Sequence, residues 1–183
     1  MLQTCPERDG SSPRSHRPCP PEALENEYTD ILNIGKIFNV EDRANEIVDE
    51  LKAEVERVTS ATAGQEKKTV LVIEFLGDSI VNYGETMLAG DMVKAMGGDL
   101  LDAPSDLGKE DIINLNPDVL LVIGDTEEAA AKITEDPGFA SLQAVQNSNV
   151  YNLPLSYVYT SGVRTIYGLN TIGAALYPDL YAD

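Results

Sequence analysis

Two groups of side chains carry what chemistry this chain of 183 residues offers. Asp78, Ser79, Asn82 and Tyr83 follow the apolar run Thr69 to Leu76. Ser156, Tyr157, Tyr159, Thr160, Ser161 and Arg164 follow a second run, Asn149 to Leu153. Tyrosine gives rigid, amphipathic surface, and the forked guanidinium of arginine fits carboxylate or catecholate oxygens. This is binding chemistry. Two readings stay open: Tyr157 and Tyr159 pack on helix ends while Arg164 caps a helix or pairs with acidic surface, or the group lines a ligand. An arginine in the first turn of a helix is opposed by the macrodipole, which points Arg164 toward another task.

Signatures of catalysis are missing. No G-x-G-x-x-G follows the first strand, and there is neither a Walker-type phosphate loop nor a G-x-S-x-G elbow. From Glu22 onward the chain has no His and no Cys, so it lacks the usual base near neutrality and the softer metal ligands. Cys5, Cys19 and His16 lie together near the start, at a spacing that does not make a zinc site. The expectation is a non-enzymatic protein with no catalytic residue, no cofactor and no metal site of its own. A formal charge of −18 argues against a nucleic-acid partner and against an anionic membrane surface.

The elements that position those side chains read as α/β. Lys109 to Leu115 is a short amphipathic helix stopped by Pro117, and Val119 to Ile123 is an unbroken apolar run closed by Gly124. Such a run suits a strand covered on both faces, as in a parallel sheet. Around it the pattern gives strand Thr69–Leu76, loop Gly77–Gly84, helix Glu85–Met96 and a brief strand Asp99–Leu101. Helix Glu127–Ile133, a turn and short helix at Pro137–Ala144, strand Asn149–Leu153, loop Pro154–Gly162 and helix Val163–Leu176 complete it. This order predicts a Rossmann-like, mostly parallel sheet of about four strands. Right-handed crossovers then bring the loops Gly77–Gly84, Gly124–Thr126 and Pro154–Gly162 to one edge, where such sheets bind ligands.

Upstream the pattern is helical. A first helix, Ala23 to Ile34, ends near Gly35. Asn39 is the expected N-cap of a long second helix whose stripe is Ala44, Ile47, Val48, Leu51, Val55 and Val58. Ser60 to Lys68 reads as a linker or loop. The organisation expected is therefore 1–21 as a disordered, non-native-looking leader, 22–66 as a helical segment with the long helix, and 67–183 as the Rossmann-like lobe. The leader's prolines, arginines and scarce apolar residues do not form a secretory signal.

Four segments together resemble a known family: FNVEDRANEIVDELKAEVERV, GDMVKAMGGDLL, KEDIINLNPDVLLV and LPLSYVYTSGVRTIYGLNTIGAALYPDLY. In this order and spacing they are similar to ABC-transporter solute-binding proteins of the class that handles iron–siderophore complexes, haem and cobalamin. The resemblance implies two Rossmann-like lobes joined by one long helix, with a metal chelate held between them. Here it covers the long helix and the C-terminal lobe. It further implies that Tyr83, Tyr157, Tyr159 and Arg164 face the ligand, and that Glu110 docks on arginines of the ABC permease. For Glu110 the plain alternative is an ordinary carboxylate at a helix start. The parent would be exported, periplasmic or extracellular and lipid-anchored, although the chain shows no export signal. An alternative function is an orphan α/β interaction domain, a homodimer formed through the exposed stripe of the linker helix.

Overall fold

The apolar runs form the middle of one sheet, and everything else is arranged to cover it. The computed structural model describes residues 23–182 except 86, 127, 160 and 161, so the expected leader lies outside the described residues. The strands are β1 (Thr69–Leu76), β2 (Ser79–Asn82), β3 (Asp99–Leu100), β4 (Asp106–Leu107), β5 (Val119–Ile123) and β6 (Val150–Leu153). Around them lie α1 (Ala23–Phe38), α2 (Glu41–Ala61), α3 (Leu88–Ala95) and α4 (Lys109–Leu115). Then follow α5 (Glu128–Thr134), α6 (Gln143–Gln146), α7 (Leu155–Val158) and α8 (Thr165–Leu176).

β3, β1, β5 and β6 run parallel, with β5 between β1 and β6 and the short β3 against the start of β1. This is the parallel sheet the sequence predicts. Two further strands correct it. β2 lies antiparallel to β1, and β4 antiparallel to β2, so the stretch expected as the loop Gly77–Gly84 is largely a hairpin. Leu76 pairs with Ser79 across a two-residue turn, and Gly77 there has φ +64°. A side chain is disfavoured in that region, and the tight primed turns that match strand twist demand it.

Alternation along β1 and β5 divides the core between two faces. Val70, Val72, Val119, Leu121 and Ile123 lie in the layer with α1, α2, α3 and α8. Leu71, Ile73, Leu120 and Val122 lie in the layer with Ile112 of α4, Ile133 of α5 and Phe139. At the start of the two strands Asp118 Oδ2 accepts from both the N–H and the hydroxyl of Thr69, at 2.8 Å each. The Thr69 hydroxyl in turn accepts from the Asp118 N–H at 3.0 Å. That closed ring of bonds sets the register from which both strands run.

α1 and α2 pack back on the sheet, in the same core cluster as Val70, Val72 and Leu121. α1 runs through Gly35 to Phe38, because Gly35 is a contact and not a stop: a Cβ there would lie 2.4 Å from the Ala44 Cβ of α2. The chain turns instead at Asn39, which adopts φ +53°, so the N-cap of α2 is Val40 without a side-chain bond. Asn39 makes the turn and does not cap it. The expected stripe of α2 is largely covered: Ala44, Val48, Leu51 and Val58 belong to the same core cluster as α1, α3 and α8. Dimerisation through an exposed linker-helix stripe therefore loses its surface. The large apolar side chains that do stay exposed on this segment are Ile34, Ile37, Phe38 and Val40, all at the turn.

The chain's end is clamped onto α2. Arg57 donates two bonds to Glu54, from Nε and Nη2 at 2.8 Å each, and its guanidinium lies 4.7 Å from the Tyr181 ring centre. Tyr181 donates its hydroxyl to the same Glu54 carboxylate. The Arg57 bonds hold the Glu54 carboxyl below its usual value of 4.5. A lowered folded value means stability present at neutral pH and lost as pH falls. Wild type should exceed Glu54→Gln by roughly 0.5–1 kcal/mol at neutral pH, allowing for the exposed guanidinium. Thermal melts at descending pH should show that difference shrinking as pH falls below about 4.5 and lost only once pH has passed the lowered folded value. A gap that persists in acid would refute the assignment.

Candidate functional site

The C-terminal ends of β1, β5 and β6 are neighbours, since Glu74 pairs with Ile123 and Ile123 with Leu153. The segments that follow them share this edge. The hairpin register decides which side chains face it. Ile73 pairs with Asn82, and the ladder continues with the Tyr83 N–H donating to the Val72 carbonyl at 2.8 Å. Residues opposite each other in an antiparallel pair point to the same face. Tyr83 is thereby set on the face of Val72 and Glu74, and its hydroxyl donates to Glu74.

Tyr83 is only 3% exposed, so it is an interior side chain rather than an open loop tyrosine. Burial, with the Glu74 carboxylate beside it, holds its phenol well above the ordinary value. It keeps its proton and donates. Its ring centre is 6.3 Å from that of Tyr159, the planes inclined by 59°. Tyr159 is 47% exposed and forms the accessible half of this pair. A second pair stands alongside: Tyr157 and Tyr167 have ring centres 5.5 Å apart, inclined by 45°.

Tyr157 lies on α7 and Tyr159 directly follows it, so the expected loop Pro154–Gly162 contains a helical turn. Arg164 is the N-cap residue of α8, exposed, and takes part in no ion pair among the described residues. Gly162, ahead of α8, is tied to α1, where the buried Glu27 accepts its N–H at 3.1 Å. The sequence-expected Tyr83 and Tyr159 thus meet, and Tyr157 and Arg164 belong to the same connection from β6 to α8. Thr160 and Ser161 lie outside the described residues.

Two members were missed from the sequence. Glu74 sits inside the apolar strand TVLVIEFL, where a lone carboxylate at a core-facing position was the available signal. Tyr167 stands in the first turn of α8 and is 54% exposed, a large aromatic side chain left open on a mostly buried helix. Glu110 is elsewhere, exposed in the first turn of α4. That turn is held to the following layer by the ion pair between Lys109 and Asp136. Among the described residues no cluster of His, Cys, Asp and Glu could hold a metal ion, and no helix is long and apolar enough to cross a membrane.

Aromatic side chains, one half-buried carboxylate and one exposed guanidinium gathered at the edge of an α/β sheet are groups suited to binding a solute. The chain belongs to the periplasmic binding protein family, whose pattern matches residues 14–157. It is similar to the uncharacterized ABC transporter substrate-binding lipoprotein YvrC of Bacillus subtilis, 24% identical over 85% of this chain and 51% of that protein. It is also similar to the high-affinity heme uptake system protein IsdE of Staphylococcus aureus, 26% identical over 72% of this chain and 49% of that protein. The chain spans about half the length of these curated relatives.

Among solved structures, a periplasmic binding protein from Veillonella parvula superposes with a TM-score of 0.80 at 30% identity, covering 86% of this chain and 52% of that one. An ABC-type Fe3+-hydroxamate transport protein from Saccharomonospora viridis shares the fold, with a TM-score of 0.70 at 23% identity. It covers 83% of this chain and 55% of that one.

Proposed function

We propose that this chain is the C-terminal lobe of the substrate-binding component of an ABC importer, non-enzymatic, whose ligand is a metal chelate of the iron–siderophore, haem or cobalamin class. The observation that carries the reading is the meeting of Glu74, Tyr83 and Tyr159 at the shared edge of the sheet, in a chain of this family. Tyr157, Tyr159 and Arg164 would contact the chelate, and Tyr83 would position Glu74. The two relatives' names, a substrate-binding lipoprotein and a heme uptake protein, support the transport role and an extracytoplasmic location. Capture here would be followed by presentation to the permease.

The experiment is calorimetric and spectral titration of the full chain with a ferric trihydroxamate, with haem and with cobalamin. Saturable binding of one of them supports the reading, and silence from all three overturns it. Small-ligand sites usually bury most of their ligand, so a single lobe should bind weakly.

Glu110 would serve the permease contact. It is exposed in the first turn of α4, a helix packed on the sheet face opposite to that of Tyr83, so its role is separable from ligand capture. Glu110→Lys is expected to weaken capture by the cognate permease in nanodiscs roughly tenfold, through charge reversal at a docking rim. The chelate titration should be unchanged. Equal capture of both forms would leave Glu110 as a plain helix-start carboxylate.

A further inference from the structure

We infer that the mouth selects a neutral or cationic metal chelate over a polyanionic one, and that Glu74 is the specificity-determining residue. This inference rests on the proposed function and deepens it.

The argument starts in the strand. Along TVLVIEFL the only ionisable side chain is Glu74, half-buried near the strand's C-terminal end and on the face shared with Tyr83. One carboxylate oxygen accepts the Tyr83 hydroxyl, but a phenol that keeps its proton does not neutralise a carboxylate. No Lys or Arg forms an ion pair with Glu74 among the described residues. A half-buried charge left in this state favours an incoming cation. Aromatic rings favour the same partner, because the negative faces of their π-systems attract cations, and the half-exposed Tyr159 ring stands 6.3 Å from that of the buried Tyr83 that bonds Glu74.

The rest of the edge adds little that would reverse this. Asp125, just beyond β5, is exposed and joins no ion pair among the described residues, and Glu85, beyond β2, is matched by Lys94 at 3.2 Å. On the other side stand Arg164 and the start of α8, worth roughly half a positive charge. Arg164 is exposed, in water, where one guanidinium is screened, whereas Glu74 acts from a partly dry position. At longer range the formal charge of −18 opposes any approaching polyanion. The retained phenol proton has a further meaning: Tyr83 donates hydrogen bonds and is no phenolate ligand. Iron would therefore arrive already wrapped, with the chelate's outer surface and net charge being what is read.

The test is calorimetric titration of the full chain, at low salt, with ferrioxamine B, a monocationic ferric trihydroxamate, and with a trianionic ferric tricatecholate. The expected result is saturable heat with the cation and none with the trianion. Glu74→Gln, which keeps an acceptor for Tyr83, should weaken the cation roughly fivefold with an unchanged thermal midpoint, the scale of one partly screened charge. Glu74→Lys should shift the preference toward the tricatecholate. Tricatecholate binding as tight as or tighter than the cation overturns the charge selection and leaves the transport reading standing. An unaffected Glu74→Gln overturns the role of Glu74. Silence from both chelates, with haem and cobalamin silent as well, removes this inference together with the proposed function.

Discussion

Leu121→Ala is expected to cost about 3 kcal/mol of folding stability, within the 2–5 kcal/mol typical of emptying a buried leucine site. Leu121 is fully buried in the middle of β5, and β5 itself is flanked on both sides by parallel strands and buried along its whole length. Its side chain lies in the cluster that also holds Val48, Met92 and Leu169, drawn from α2, α3 and α8. Covered by packed helices, the site has little freedom to collapse around the missing atoms. Leu76, half exposed at the end of β1, is the internal control, and its truncation should cost well under 1 kcal/mol. Urea unfolding followed by circular dichroism gives both numbers. Equal costs at the two positions would mean that β5 is not the centre of the core.

That strand is also where the sequence speaks most clearly. An apolar run between a proline and a glycine has one good structural solution, so β5 and the helix before it stand where the pattern places them. β1 matches the expected bounds, and β6 differs by one residue, for the same reason. What stayed hidden depends on partners distant in sequence. β2 and β4 are short, of mixed composition, and exist because β1 offers an edge to pair with; only the Gly77–Asp78 turn signalled the hairpin. Asn39 illustrates a second limit. Asn is suited both to capping a helix and to a left-handed turn, and the close approach of Gly35 to Ala44 selects the turn.

The candidate site divides along the same line. Tyr157, Tyr159 and Arg164 could be placed from the sequence because they follow a recognisable strand and precede a recognisable helix. Tyr83 could be placed at the edge but not oriented, since its facing follows from the antiparallel register and not from a loop. Glu74 was hidden because it is one carboxylate in an apolar strand, and its value lies in what the hairpin brings beside it.

Gly90→Ala tests that supporting arrangement from the opposite side. Within a helix, alanine is ordinarily better than glycine by about 1 kcal/mol, so propensity alone forecasts stabilisation of α3. The geometry forecasts the reverse. A Cβ on Gly90 would lie 2.2 Å from the Gly84 carbonyl oxygen, 2.8 Å from its carbonyl carbon and 2.9 Å from the Tyr83 oxygen. All three are backbone atoms, and no rotamer change can relieve them. Either α3 moves off the sheet, opening its contacts through Met92 and Val93, or the Tyr83–Gly84 segment moves and carries the phenol away from Glu74. Overpacking of this kind typically costs 1–3 kcal/mol, and clashes with three backbone atoms put it at the upper end; less the propensity gain of about 1 kcal/mol, a net loss of about 1–2 kcal/mol is expected. The second consequence separates this from a generic core defect. Tyr83 and Tyr159 ring resonances should shift in the variant while those of Tyr151, on β6 at the far edge of the sheet, should not. A variant as stable as wild type, with unmoved tyrosine signals, would show that α3 does not rest on the Tyr83 backbone. Glu74 would then lack the support that its proposed part in binding requires.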